Sequence, residues 1–102
     1  MEIKEMQKVV DAWIKEYGKG YWNPSSIILR LIEEVGELAR EINHQYGEKP
    51  PKPGDNKKNI GHETADIIFT LICLLNSLDI DLEKSFKEII KKYTERDRDR
   101  HH

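Results

Sequence analysis

From about Asn59 to Leu78 the chain reads as one helix, and Ile67–Leu75 within it is apolar except for Thr70. A helix without a wide polar face cannot lie on a surface, so this segment is expected at the centre of whatever forms around it. With 102 residues, the chain suits one domain with enough length for a core but little to spare. The surrounding elements must therefore be few.

They read as three further helices. Met6, Val9, Val10, Trp13, Ile14 and Tyr17 recur at helical spacing before Gly18-Lys19-Gly20, predicting a first helix over about 2–17. After Tyr21-Trp22, Asn23 or Ser25 can cap a second helix with Pro24 in its first turn, where its missing N–H costs nothing. Ile28, Leu31, Ile32, Val35, Leu38, Ala39, Ile42 and Tyr46 mark its buried stripe, taken as centred on Val35. Gly36 costs roughly 1 kcal/mol against Ala inside a helix, and close approach of the third helix would account for it. Gly47–Lys58 carries Pro50, Pro51, Pro53 and Gly54, the composition of an exposed and mobile loop. Asp81 caps a fourth helix whose inner stripe is Leu82, Phe86, Ile89, Ile90 and Tyr93, fraying past Thr94. No strand pattern competes. The expectation is a single all-α domain over residues 1–100, a four-helix bundle, with His101-His102 as a tag remnant.

Charge narrows the function classes. Lys and Arg number 17 against 19 Asp and Glu, a formal charge of −2, so no global attraction to a nucleic acid polymer or an acidic membrane is expected. The N-terminal segment is too polar for a signal peptide and no apolar run reaches the roughly 18 residues of a membrane span. One cysteine, Cys73, allows no intrachain disulfide and reads as an inert core residue. A cytoplasmic protein is the expectation.

Against this background five acids stand out. Glu33, Glu34 and Glu37 lie in the second helix, and Glu63 and Asp66 follow in the third after a gap of 25 residues. On the second helix the acids form one strip, with Glu34 nearest the core and Glu33 pointing farthest out. A solvated face would explain that strip alone. On the third helix Glu63, Asp66, Thr70 and Cys73 line up within about 80° between apolar flanks. Two carboxylates about 6 Å apart repel by about 3 kcal/mol at an effective dielectric of 20, before desolvation is counted. No Lys or Arg lies between residues 59 and 83 to offset this within the helix. Oxygen donors facing one another across two helices, without Cys or paired His, suit a hard cation such as Mg²⁺ or Mn²⁺. Such an ion is a usual platform for phosphoanhydride hydrolysis.

The stretch Leu31-Ile32-Glu33-Glu34-Val35-Gly36-Glu37-Leu38-Ala39-Arg40-Glu41, followed by Glu63-Thr64-Ala65-Asp66-Ile67-Ile68, resembles the MazG-type nucleoside triphosphate pyrophosphohydrolases of the all-α pyrophosphatase superfamily. The resemblance covers residues 28–93. It implies a MazG-like helical fold, homodimers or homotetramers, and Mg²⁺-dependent cleavage of a nucleoside or deoxynucleoside triphosphate between the α and β phosphates. Glu34, Glu37, Glu63 and Asp66 match the family's metal ligands, and Glu33 matches an acid acting behind the ligands or as base through a water. Glu33 and Glu34 are thus the catalytic candidates. Lys91, Lys92 and Arg96 occupy the place of the family's phosphate-binding basic residues.

Other residues carry two readings each. Trp22, in a connector beside Tyr21, can stack on a nucleobase or pack a helix corner. Asn76 can reach substrate or satisfy backbone groups, and Trp13 reads as core. Glu41-x-x-His44 has the spacing of a di-iron half-site, but no second copy accompanies it, since His62 precedes Glu63. A non-catalytic helical module, its acids fixing register or binding a partner, is the remaining alternative.

Overall fold

The computed structural model describes residues 1–48 and 57–100, with side-chain surroundings given for 1–48 and 58–98. Most of the expected loop, and the two terminal histidines, lie outside the described residues. Four helices appear in the expected order: α1 (Ile3–Trp13), α2 (Pro24–Tyr46), α3 (Lys57–Ser77) and α4 (Leu82–Arg100), and no strand occurs among the described residues. Asn23 caps α2, its Oδ1 accepting from Ser26 N at 2.9 Å with Pro24 in the first turn, and Asp81 Oδ1 accepts from Lys84 N at 3.1 Å at the start of α4. Both caps follow from short polar side chains that satisfy otherwise unpaired N–H groups.

α3 packs against both α1 and α2, as its composition requires. The core is small: Val10, Ile14, Ile27, Ile72 and Cys73 are buried, with Met6, Tyr21, Phe69, Leu74 and Leu82 packed around them. A polar clamp closes one side of it. Asn76 Nδ2 donates to Gln7 O and to Tyr21 Oη, each at 3.0 Å, while Asn76 Oδ1 accepts from Gln7 Nε2 at 2.8 Å. Gln7 Oε1 also accepts from Leu82 N, and Tyr21 Oη donates to Asp11 at 2.6 Å. Burial, reinforced by the Asp11 carboxylate, pushes the Tyr21 phenol up to about 12. This network joins α1, the Tyr21 connector, α3 and the entrance to α4.

The first helix does not continue regularly to residue 17. Ile14–Gly18 forms a π-helical turn, closed by Lys19 and Gly20 at φ 58° and 101°. The wider turn directs Trp13, Ile14 and Gly18 toward one cavity, and such turns recur at functional sites. At the other end of the chain, α4 extends past Thr94 to Arg100. Its Glu and Arg residues are good helix formers, and Arg96 stacks over Tyr93 at 4.9 Å.

The larger correction concerns which face of α2 is covered. Its buried residues are Ile27 and Glu34, while Val35 is 48 % and Ile32 62 % exposed, with Ile28, Ile42 and Tyr46 also exposed. The covered face is centred roughly 80° from Val35. An apolar arc wider than one partner helix can cover is responsible: α3 takes the edge that includes Ile27 and Glu34, leaving the rest outward. Gly36 belongs to that outward side, where a Cβ would meet nothing within 4 Å, so approach of α3 does not explain it.

α4 differs from expectation in the same way. It packs against α1, and most of its expected inner stripe is not covered. Leu82 is partly covered, but Phe86, Ile89, Ile90 and Tyr93 are exposed, because no further segment of the described chain reaches them. The radius of gyration is 17.1 Å, against about 13 Å for a compact domain of this length.

Candidate active site

Glu34 is the most buried polar residue of the described chain, at 2 % exposure. It owes this to the rotation of α2, which turns the acidic strip, and not the Val35 stripe, toward α3. Ligand oxygens of Glu34, Glu37 and Glu63 lie within 4.8 Å of one another, two acids from α2 and one from α3. Asp66 stands one turn along α3 and lines a cavity beside Glu34. Three of the four expected ligands are therefore gathered, and the fourth borders the same space.

Arg30, one turn before Glu34, was not among the expected site residues. Its Nη2 lies 2.6 Å from Glu34 Oε1 and its Nη1 3.2 Å from Glu33 Oε2. The i,i+3 and i,i+4 spacing was available in the sequence as a signal, because such residues are neighbours on a helix surface. Glu33 accordingly sits at the exposed rim, paired with Arg30, outside the three-acid group.

Electrostatics set this cluster apart from an ordinary acidic face. Burial raises the Glu34 carboxyl above the usual range; Arg30 opposes the rise, and Glu37, Asp66 and Glu33 add to it. Glu63 is raised by burial first, then by its hydrogen bond to Glu37 and by the surrounding acids. Oε2 of Glu34 and Oε2 of Glu63 are buried without a hydrogen-bond partner, and so is Oε2 of Glu41 one turn beyond Glu37. Buried unpaired carboxylate oxygens are costly, and a cation bound between them would offset that cost. An all-oxygen donor set fits a hard divalent ion. His44 does not join the acid group, and among the described residues no second group of three metal-ligating side chains is present to complete a di-iron pattern.

Next to the acids lies a cavity of about 390 Å³. Glu34, Asp66 and Arg30 form its polar end; Trp13, Trp22, Phe69 and Ile27 supply apolar wall, with Thr70 and Cys73 on the α3 side. The ring of Trp13 meets Phe69 edge-on at 5.7 Å and Tyr17 at 5.6 Å. Trp13 is thus half-exposed cavity wall and not closed core, a consequence of the π turn that follows it. Cys73 is buried as expected while touching the cavity. Asn76 lies outside the lining, both ends of its amide engaged by Gln7 and Tyr21. Lys91, Lys92 and Arg96 are exposed on α4, which packs on α1, and none of them lines the cavity.

The MazG nucleotide pyrophosphohydrolase domain matches residues 22–101. The uncharacterised protein YpjD of Bacillus subtilis is 46 % identical over 98 residues, covering 96 % of this chain and 88 % of that protein. YvdC of the same organism is 29 % identical over 94 % of this chain and 96 % of its own length. Among solved structures, a B. subtilis YpjD structure described as a candidate pyrophosphatase aligns with TM-score 0.84 at 44 % identity, covering 91 % of this chain and 95 % of that one. A Bacillus-conserved MazG protein, described as a nucleotide pyrophosphohydrolase, aligns with TM-score 0.79 at 43 % identity, covering 91 % and 90 %. No described helix is long and apolar enough to cross a membrane. An acidic cluster between two helices, an aromatic cavity against it and a family match over most of the chain lead to one assignment: this protein belongs to the MazG nucleotide pyrophosphohydrolase family and is an enzyme of that class.

Proposed function

We propose that this enzyme hydrolyses a nucleoside or deoxynucleoside triphosphate at the α–β phosphoanhydride, releasing a monophosphate and pyrophosphate, with Mg²⁺ held by Glu34, Glu37, Glu63 and Asp66. The observation that carries this reading is the pair of buried, unpartnered oxygens of Glu34 and Glu63 beside an aromatic cavity. An ion held there would supply charge neutralisation for phosphate oxygens and would favour deprotonation of water. The protein's own groups do the rest. Trp13, Trp22 and Phe69 offer ring surfaces for a base. Arg30 engages one oxygen of Glu34, which fixes the carboxylate's orientation, and the other oxygen is buried without a partner. Water adds its oxygen to phosphorus, the bridging P–O bond breaks, the bridging oxygen leaves with pyrophosphate, and the water's proton passes to a carboxylate of the cluster that is not holding the ion. Glu33 acts at one remove, through the pairing it shares with Arg30.

A second copy of the chain completes the proposed enzyme. Among the described residues, Ile28, Ile32 and Val35 of α2 and Phe86, Ile89 and Ile90 of α4 leave apolar surface exposed, the kind of surface that marks an interface. A homodimer, or a homotetramer built from it, would cover these stripes and gives Lys91, Lys92 and Arg96 a route to a neighbouring copy's phosphate site.

Incubating the enzyme with a panel of nucleotides and Mg²⁺ tests the reading. Turnover that is abolished by chelation and reduced at least about a thousandfold by Glu34→Gln or Glu63→Gln is expected. Turnover of no nucleotide, or turnover indifferent to chelation, would refute it.

A further inference from the structure

Arg30 is the one cationic side chain lining the cavity among the described residues, and on α2 it lies one turn after Ile27 of the apolar wall and one turn before Glu34. A guanidinium carries five N–H donors in a rigid fork. Glu33 and Glu34 each take one, at 3.2 and 2.6 Å, and no other partner engages the remainder among the described residues. The group is half exposed, whereas Glu34 beneath it is buried. Two adjacent acids on the same helix therefore grip the inner part of the fork, and its other donors are left at the junction between base wall and metal-binding acids.

We infer that Arg30 binds the substrate phosphate nearest the sugar, and that Glu33 and Glu34 hold its guanidinium in place for that contact. The inference rests on the nucleotide reading above. A nucleotide whose base lies on the aromatic wall and whose polyphosphate runs toward the acid cluster has to pass this junction. There, Glu34 and Asp66 repel an anion, and a cation held by Glu34, Glu37 and Glu63 would offset part of that repulsion. Among the lining residues, Arg30 alone offers the phosphate a positive charge. Planar bidentate recognition of phosphate is the task for which arginine is better suited than lysine. The same placement gives Glu33 a reason to be acidic although it lies outside the three-acid group: it fixes the outer arm of the guanidinium.

The competing explanation is that Arg30 is only a counter-ion to Glu34. The two differ in what they predict for a ligand with and without a phosphate. Both tryptophans of the chain, Trp13 and Trp22, line the cavity, so intrinsic fluorescence reports its occupation without turnover. The common nucleosides and deoxynucleosides and their 5′-monophosphates are titrated into the full-length protein at saturating Mg²⁺, in wild type and in Arg30→Gln, Arg30→Lys and Glu33→Gln.

Wild type is expected to bind at least one monophosphate about 10- to 100-fold more tightly than its nucleoside, the range of a charge-assisted hydrogen bond. Arg30→Gln should erase this advantage while leaving nucleoside affinity within about twofold, which also shows that the variant is folded. Arg30→Lys, which keeps the charge but not the fork, should retain part of it, and Glu33→Gln should lose a smaller part. If Arg30→Gln keeps the full advantage, or weakens nucleoside and monophosphate equally, Arg30 is not the phosphate contact and the nucleotide reading stands without it. An equal affinity of wild type for both forms overturns the inference too. If wild type responds to neither, the nucleotide reading itself falls and takes this inference with it.

Discussion

Arg30 Nη2 and Glu34 Oε1 are 2.6 Å apart, while the other oxygen of the same carboxylate is buried with nothing to bond to. One side chain thus has an occupied half and a vacant half. The bonded oxygen fixes the orientation of the carboxylate, which lies beside Glu37 and Glu63, with one ligand oxygen of each acid within 4.8 Å of the others. Burying a carboxylate oxygen without a partner costs stability, and a bound cation would offset that cost.

Glu34 and Glu63 are both raised above the ordinary carboxylate range, chiefly by burial. An acid whose folded pKa exceeds its unfolded value binds its proton more tightly in the native state, so its stabilising contribution is present below the unfolded pKa and is lost as pH rises through the folded one. In chelator, the melting temperature should therefore fall by several degrees between pH 5 and pH 8. Mg²⁺ should oppose that fall, since it binds the deprotonated acids. Glu63→Gln should flatten the profile in chelator. A melting temperature that climbs steadily from pH 5 to pH 8 without metal would show that these acids are not strained by burial.

Asn76 is engaged by Gln7 and Tyr21 and does not line the cavity. Asn76→Ala removes three hydrogen bonds and strands buried partners, a loss of about 2–3 kcal/mol. Denaturant unfolding should register that loss, while KM of the folded variant changes by less than about twofold. A large KM effect with unchanged stability would make Asn76 a substrate contact after all.

Trp22 is mostly exposed yet forms part of the cavity wall. Its replacement by Ala should leave stability within about 0.5 kcal/mol, as for other surface positions. Stacking on a base contributes about 1–3 kcal/mol, so KM should rise roughly tenfold. Equal effects on kcat and none on KM would place Trp22 outside the base site.

The outward faces of α2 and α4 predict assembly. Light scattering of wild type should give a multiple of the single-chain mass, and Ile32→Glu or Phe86→Glu, which place a charge in an apolar contact, should shift the population to one chain. A wild-type protein that is a single chain at micromolar concentration would show that these stripes meet solvent.

Much of this molecule can be read from its residues, for identifiable reasons. Helical periods and the Asn23 and Asp81 caps are local, so α2, α3 and α4 are predictable at their starts and in their order. The acids declare themselves by conflict with their apolar setting. What the residues do not disclose is orientation. The apolar arc of α2 spans more than one contact, and nothing in a single chain says whether Val35 or Glu34 faces α3. The stripe of α4 reads as internal because apolar periodicity marks burial without naming what does the burying. The π turn at Ile14–Gly18 has no periodic signature distinct from a helix end, so the cavity that it shapes, and the place of Trp13 in its wall, become visible only in three dimensions. Arg30 is a different case. Its spacing to Glu33 and Glu34 is plain in the sequence, but such i,i+3 and i,i+4 pairs are common on any helix surface and do not by themselves mark a site.

The central claim is cleavage at the α–β phosphoanhydride, and phosphorus NMR of a nucleoside triphosphate incubated with enzyme and Mg²⁺ tests it most directly. The expected spectrum shows the three triphosphate resonances replaced by those of a nucleoside monophosphate and pyrophosphate in equal amounts, with no change for Glu63→Gln. Formation of a nucleoside diphosphate and orthophosphate would contradict it.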